Sequence, residues 1–201
     1  SEKDTEIIGE VELAYSFGKG DVLAITGTNG KTTTTTLLGE IMKNFAEKEG
    51  KGRKVFVVGN IGDPYTLYAN EMEDDTVTVA EISSFQLETI ETFKPSVSAV
   101  LNVTPDHLNR HHTMDNYIAM KRRITENQDE KDKVILNYDD PITRDMAKGM
   151  RPKVVFFTRK PEEYAPEKGR DLVSLRDGEI LYNDRRILSI DEVNLLGAHN
   201  Y

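Results

Sequence analysis

VLAITGTNGKTTTTTLLGEIMKNF, residues 22–45, carries two periodicities in one stretch. Its first five residues form a short, largely apolar run of the kind that makes a buried strand. Leu37, Leu38, Ile41, Met42 and Phe45 then recur at helical spacing, so a helix starts inside a run of five threonines. Thr is a poor residue for a helix interior, because its β-branch loses χ1 freedom against the preceding turn. In the first turn the balance differs, since the N–H groups there have no intrahelical partner and a hydroxyl is useful. Strand, glycine loop and helix in that order form the start of a βαβ unit, and the loop falls at the carboxyl end of its strand.

Further apolar runs follow at 54–58, 76–82, 98–103, 133–137 and 153–158. Helical patterns lie between them at about 31–45, 64–71, 84–92, 114–127 and 140–149. This alternation predicts a parallel sheet covered on both faces. Beyond Pro161 the pattern changes: residues 171–190 give three short strands punctuated by Asp177-Gly178 and Asn183-Asp184. The predicted fold is therefore α/β: a P-loop-type, mostly parallel six-stranded sheet flanked by helices, with a small antiparallel three-stranded sheet near the C-terminus. Residues 1–20 read as a linker and 21–201 as one domain. Both ends read as cut.

The 201 residues are 37% hydrophobic and 30% charged, with a net charge of −9 and no cysteine. Disulfides and thiolate metal sites are thereby excluded, which suits the cytoplasm. No apolar run reaches the ~20 residues that span a bilayer. The acidic balance argues against a nucleic-acid or anionic-membrane surface. An acidic chain that binds a polyanion needs a local device, and GTNGKT (27–32) has the composition of one. Gly27 and Gly30 allow close backbone approach, successive N–H groups at a helix start cradle phosphate, Lys31 reaches terminal phosphates and Thr32 is placed for Mg²⁺. Thr28, Asn29 and Thr33 complete the cradle. Thr34 to Thr36 read as packing or surface. The loop is shorter than G-x-x-x-x-G-K-[ST], because Ile25 stands where that pattern has its first glycine. A plain glycine turn with Lys31 in solvent is the bland alternative.

Other polar residues admit two readings on their own chemistry. Glu81 ends a strand, a position that often caps the next helix, although Ser83 and Ser84 suit that task better and leave it free for a metal. His107 follows strand 98–103 and so faces the same sheet edge as Lys31 and Glu81. His111 and His112 read as surface residues. Lys121, beside Arg122 and Arg123, reads as a solvated helix face, although Tyr117, Met120 and Ile124 share its side. Asn137, Asp139 and Asp140 serve equally as caps or as nucleotide contacts.

GTNGKTTT resembles the phosphate loop of the Mur ligases, the ATP-dependent amide-forming enzymes of peptidoglycan precursor synthesis. EISSFQLE (81–88) is more selective and resembles the D-glutamate-adding branch; VVGNIGDP (57–64), LNVTPDHLNRH (101–111), YIAMKRRI (117–124) and LLGAHN (195–200) follow in the family's order. The resemblance covers that family's central ATPase domain, with an amino-terminal UDP-binding domain and a carboxy-terminal domain lacking here. It implies ATP and two Mg²⁺ sites. Thr32 and Glu81 would serve the first metal, His107 and a carbamylated Lys121 the second. Lys31, Glu81, His107 and Lys121 would carry catalysis, Asn60 and Ser83 would line the substrate side, and Asn200 would join the nucleotide contacts. Asn109 stands where the family often has Asp. The implied partners of the full-length enzyme are UDP-N-acetylmuramoyl-L-alanine and D-glutamate, and a monomer is implied. Rival readings are a different acid–amine ligase of the superfamily, such as a folylpolyglutamate-type enzyme, and a nucleotide-binding module without turnover.

Overall fold

The computed structural model describes residues 7–164 and 170–193. Nine strands form one sheet: β1 (Asp21–Thr26), β2 (Val55–Gly59), β3 (Val77–Glu81), β4 (Val97–Val100), β5 (Lys133–Asn137), β6 (Lys153–Thr158), β7 (Asp171–Arg176), β8 (Glu179–Tyr182) and β9 (Arg185–Ser189). Their order is β2-β3-β1-β4-β5-β6-β7-β8-β9. Every pairing from β2 to β7 is parallel, and β8 and β9 add antiparallel at the edge. The three C-terminal strands thus extend the main sheet, with β7 running parallel to β6.

The helices are α1 (Glu10–Phe17), α2 (Lys31–Glu49), α3 (Ser84–Leu87), α4 (Leu108–His111), α5 (Met114–Arg122) and α6 (Pro141–Met146). Core residues occupy both sheet faces. Val22, Ala24, Val100, Val134, Leu136 and Phe156 belong to the larger cluster, together with Leu87, Tyr117 and Ile124 from the helical side. Ile25, Val77, Val79 and Ala99 form the smaller one, against Leu38 and Met42 of α2. This two-sided burial is why the strands read as continuous apolar runs.

Two helical patterns are shorter than the sequence suggests. Residues 64–71 make two 3₁₀ turns, Tyr65–Leu67 and Ala69–Glu71. The helix expected over 84–92 ends at Leu87, because the N–H groups of Glu91, Thr92 and Phe93 donate to the Glu12 carboxylate. Glu12 lies on α1, inside the stretch read as a linker. That helix is docked: Val11 and Ala14 are buried, and Glu10 accepts from Thr66 N at 2.7 Å.

β1 has β3 on one side and β4 on the other: the chain lays β2 and β3 on one side of it and then crosses to lay β4 on the other. The crevice beyond its carboxyl end is where open α/β sheets bind ligands. Residues 27–30 occupy that place.

Candidate functional site

Gly30 adopts φ 81° as the N-cap of α2, a left-handed conformation that glycine enters without steric cost. Among the described residues no side chain caps this 19-residue helix, so its first N–H groups are left for the crevice. The loop is anchored from the neighbouring strand. Asn102, just past β4, accepts from Thr28 N at 3.1 Å and Asn29 N at 2.8 Å, and its amide donates to Asn29 O at 3.0 Å. Lys31 folds back and donates to the carbonyls of Gly27 and Thr28, each at 3.0 Å.

A carboxylate faces this loop. Glu81 ends β3 beside Ile25 of β1 and is 1% exposed. One of its oxygens accepts from Thr32 Oγ1 at 3.0 Å and the other from Asn60 Nδ2 at 2.8 Å. Asn60 reaches it because the chain passes very close at Gly59. There φ is 110°, and a Cβ would lie 2.3 Å from Glu81 O. The next N–H, that of Asn60, bonds the same carbonyl at 2.8 Å. Among the described residues Glu81 has no ion pair, and both of its partners are neutral. A buried carboxylate without a counter-charge favours a cation.

α5 closes the loop from behind. Lys121 is 1% exposed and donates to Gly27 O at 2.8 Å, the carbonyl that Lys31 also meets. Burial, and then the ammonium of Lys31, pull its pKa down to about 7. Its Nζ lies 4.6 Å from the centroid of the Tyr117 ring. His107 stands at φ 50°, half exposed, 3.5 Å from Asp106 and edge-on to Phe85. It meets the same Tyr117 ring at a centroid distance of 6.5 Å.

Residues 25–201 match the Mur ligase middle domain model. The chain belongs to the Mur ligase family. It is 52% identical over 97% of its length to UDP-N-acetylmuramoylalanine--D-glutamate ligase of Lachnoclostridium phytofermentans, and 50% identical over 96% to the protein of that name from Lachnospira eligens. It spans 41% of the length of each. Solved Mur ligases share the fold. A UDP-N-acetylmuramoyl-L-alanyl-D-glutamate--2,6-diaminopimelate ligase superposes with a TM-score of 0.65 at 20% identity, covering 94% of this chain and 42% of that one. The MurF ligase from Thermotoga maritima in complex with ADP gives 0.57 at 23%, covering 89% and 42%.

In this Mur ligase chain, hydrogen bonds bring Gly27, Thr28, Asn29, Lys31, Thr32, Asn60, Glu81 and Lys121 to one place. His107 is joined to them through aromatic contacts. Thr33 sits exposed in the first turn of α2. Ser83 is the N-cap of α3, in a reciprocal capping box with Gln86, which leaves Glu81 free of that task. Asn200 lies outside the described residues. Asp140 caps α6 and accepts from Val103 N, and Asp139 holds Thr158 and Arg159, so both work as structural residues. His111 departs from its expected surface position. It is 5% exposed, bonded to Ser84 Oγ at 3.0 Å and packed against Phe85 and Tyr117. Asn102 was missed, although an amide just past a strand at the switch point is a signal that could have marked it.

The donor set fits a divalent cation of the Mg²⁺ type. A hydroxyl and a carboxylate meet beside the phosphate loop, and among the described residues no three His, Asp or Glu are placed to hold a metal ion by themselves. Mg²⁺ is commonly held by one or two carboxylates, with substrate phosphates and water completing the shell.

Proposed function

We propose that the full-length protein joins D-glutamate to UDP-N-acetylmuramoyl-L-alanine while converting ATP to ADP and phosphate. The observation that carries the chemistry is the bonded set Thr32–Glu81–Asn60 at the mouth of the phosphate loop. The named relatives supply the substrates. A carboxylate oxygen of the acid attacks the γ-phosphorus, the bond to ADP breaks, and an acyl phosphate forms. The amine then attacks the acyl carbon, loses a proton and expels phosphate.

The uncapped start of α2 binds the phosphates and Lys31 moves from its own loop to the terminal one. Asn60 holds Glu81 in orientation. Thr32 and Glu81 would hold one Mg²⁺, and His107 with a carbamylated Lys121 a second. When bound, these ions supply charge neutralisation for phosphoryl transfer. Lys121, its pKa drawn down to about 7, gives up its proton more readily than an ordinary lysine and is a suitable amine for CO₂; the new N–C bond releases a proton and leaves an anion where an ammonium stood. The UDP moiety and the amine would be held by parts of the longer protein outside residues 1–201, and the setting would be cytoplasmic.

A panel of amines offered to the full-length protein with ATP and UDP-N-acetylmuramoyl-L-alanine tests this. Amide product is expected with D-glutamate and not with 2,6-diaminopimelate or D-alanyl-D-alanine. Preference for another amine would overturn the substrate assignment.

A further inference from the structure

Tyr117 is fully buried on α5, one turn before Lys121. Burying a phenol without a partner is costly, and its hydroxyl meets Thr28 Oγ1 at 3.2 Å. That threonine hydroxyl also accepts from Thr104 N at 3.0 Å, so it sits in a small polar junction behind the phosphate loop. The ring face of Tyr117 carries Lys121, whose ammonium grips the adjacent Gly27 carbonyl. His111 also tilts against the ring at 5.0 Å, itself pinned by Ser84. The ring is thus held by two neighbours, while its one polar atom is directed at the loop.

We infer that Tyr117 is a positioning residue: through the Thr28 hydroxyl it sets the phosphate loop in the geometry that receives a nucleotide. The inference rests on the phosphate-loop part of the reading above and is independent of the amide chemistry. A loop of six residues, two of them glycines, has little intrinsic stiffness. Asn102 holds its front and Tyr117 its back. Pre-setting the loop lowers the ordering cost of binding, so the effect belongs in nucleotide affinity.

The test is a double-mutant cycle on the full-length protein, read by direct binding of ADP and a non-hydrolysable ATP analogue with Mg²⁺. Tyr117→Phe keeps the ring against Lys121 and His111 and removes only the hydroxyl. Thr28→Val keeps the shape and removes the other partner. Tyr117→Phe should weaken nucleotide binding by about 3- to 10-fold, the span of one hydrogen bond; Thr28→Val, which also gives up the Thr104 contacts, should weaken it at least as much, and the double variant should be no weaker than Thr28→Val alone. Unchanged affinity in Tyr117→Phe, losses that multiply in the double variant, or a fall in melting temperature with affinity intact would each overturn the inference. A wild-type protein that binds nucleotide but forms no amide would refute the ligase reading and leave this cycle interpretable.

Discussion

Lys31 meets only the carbonyls of Gly27 and Thr28 among the described residues, so its ammonium makes no contact on which the distant fold depends. In the full-length protein Lys31→Ala should weaken ATP binding and cut phosphate release by roughly 100-fold or more, with the melting temperature near that of wild type. Near-normal turnover in a phosphate-release assay would show that the loop does not work as assigned. Lys121 contrasts with it, being buried and held to about pKa 7 against an ordinary 10.5. Between those values the unfolded chain binds a proton that the folded chain lacks. Stability should therefore rise with pH across that window, and Lys121→Met should flatten the rise in thermal melts. In the same protein Lys121→Ala should lose most activity, and a small added carboxylate should restore part of it. A flat wild-type profile together with an active Lys121→Ala enzyme would return the residue to a packing role. Sequence chemistry alone placed Lys121 on a solvated face, since Arg122 and Arg123 beside it are charged. In the fold it sits against the Tyr117 ring and the Gly27 carbonyl, and no local pattern reveals the Gly27 contact.

α1 shows the same limit at the scale of elements. Its eight residues carry an amphipathic pattern legible in the sequence, whereas its seat depends on Glu12 reaching residues 91–93 far along the chain. Burial alone would raise the pKa of Glu12, but the Thr92 hydroxyl and three backbone N–H groups outweigh it and hold the carboxyl below its usual 4.5. This carboxylate contributes stability above that value, and the contribution is lost as pH falls through the lowered one. Glu12→Gln places an amide among N–H donors and should destabilise the protein by about 1–3 kcal/mol at pH 7, with a smaller gap from wild type at acidic pH. Denaturant titration at several pH values measures this, and an unchanged midpoint at pH 7 would show that α1 is a loose attachment. The six strands β1 to β6 were legible as apolar runs because the sheet is covered on both faces, although the run 98–103 extends past β4, which ends at Val100. The 84–92 helix was over-read for the reason Glu12 exposes: a distant acceptor took the N–H groups that the helix needed.

For the molecule as a whole, the acidic balance and the proposed phosphate-binding role of the loop are compatible, because positive groups gather at one crevice. The uncapped start of α2, Lys31 and Lys121 converge there, at the switch point of a nine-stranded sheet. The hairpins after residue 170 were visible as turns, but their union with the main sheet depends on β7 pairing with β6, a non-local choice. No described helix is long and apolar enough to cross a membrane. The site's central claim is that this crevice passes the γ-phosphoryl group to a carboxylate. Full-length protein should be given UDP-N-acetylmuramoyl-L-alanine labelled with ¹⁸O in its carboxylate, together with ATP, Mg²⁺ and D-glutamate, and the released phosphate analysed by mass. Transfer of one ¹⁸O into phosphate for each amide formed is the predicted result; phosphate free of label alongside amide product would contradict it.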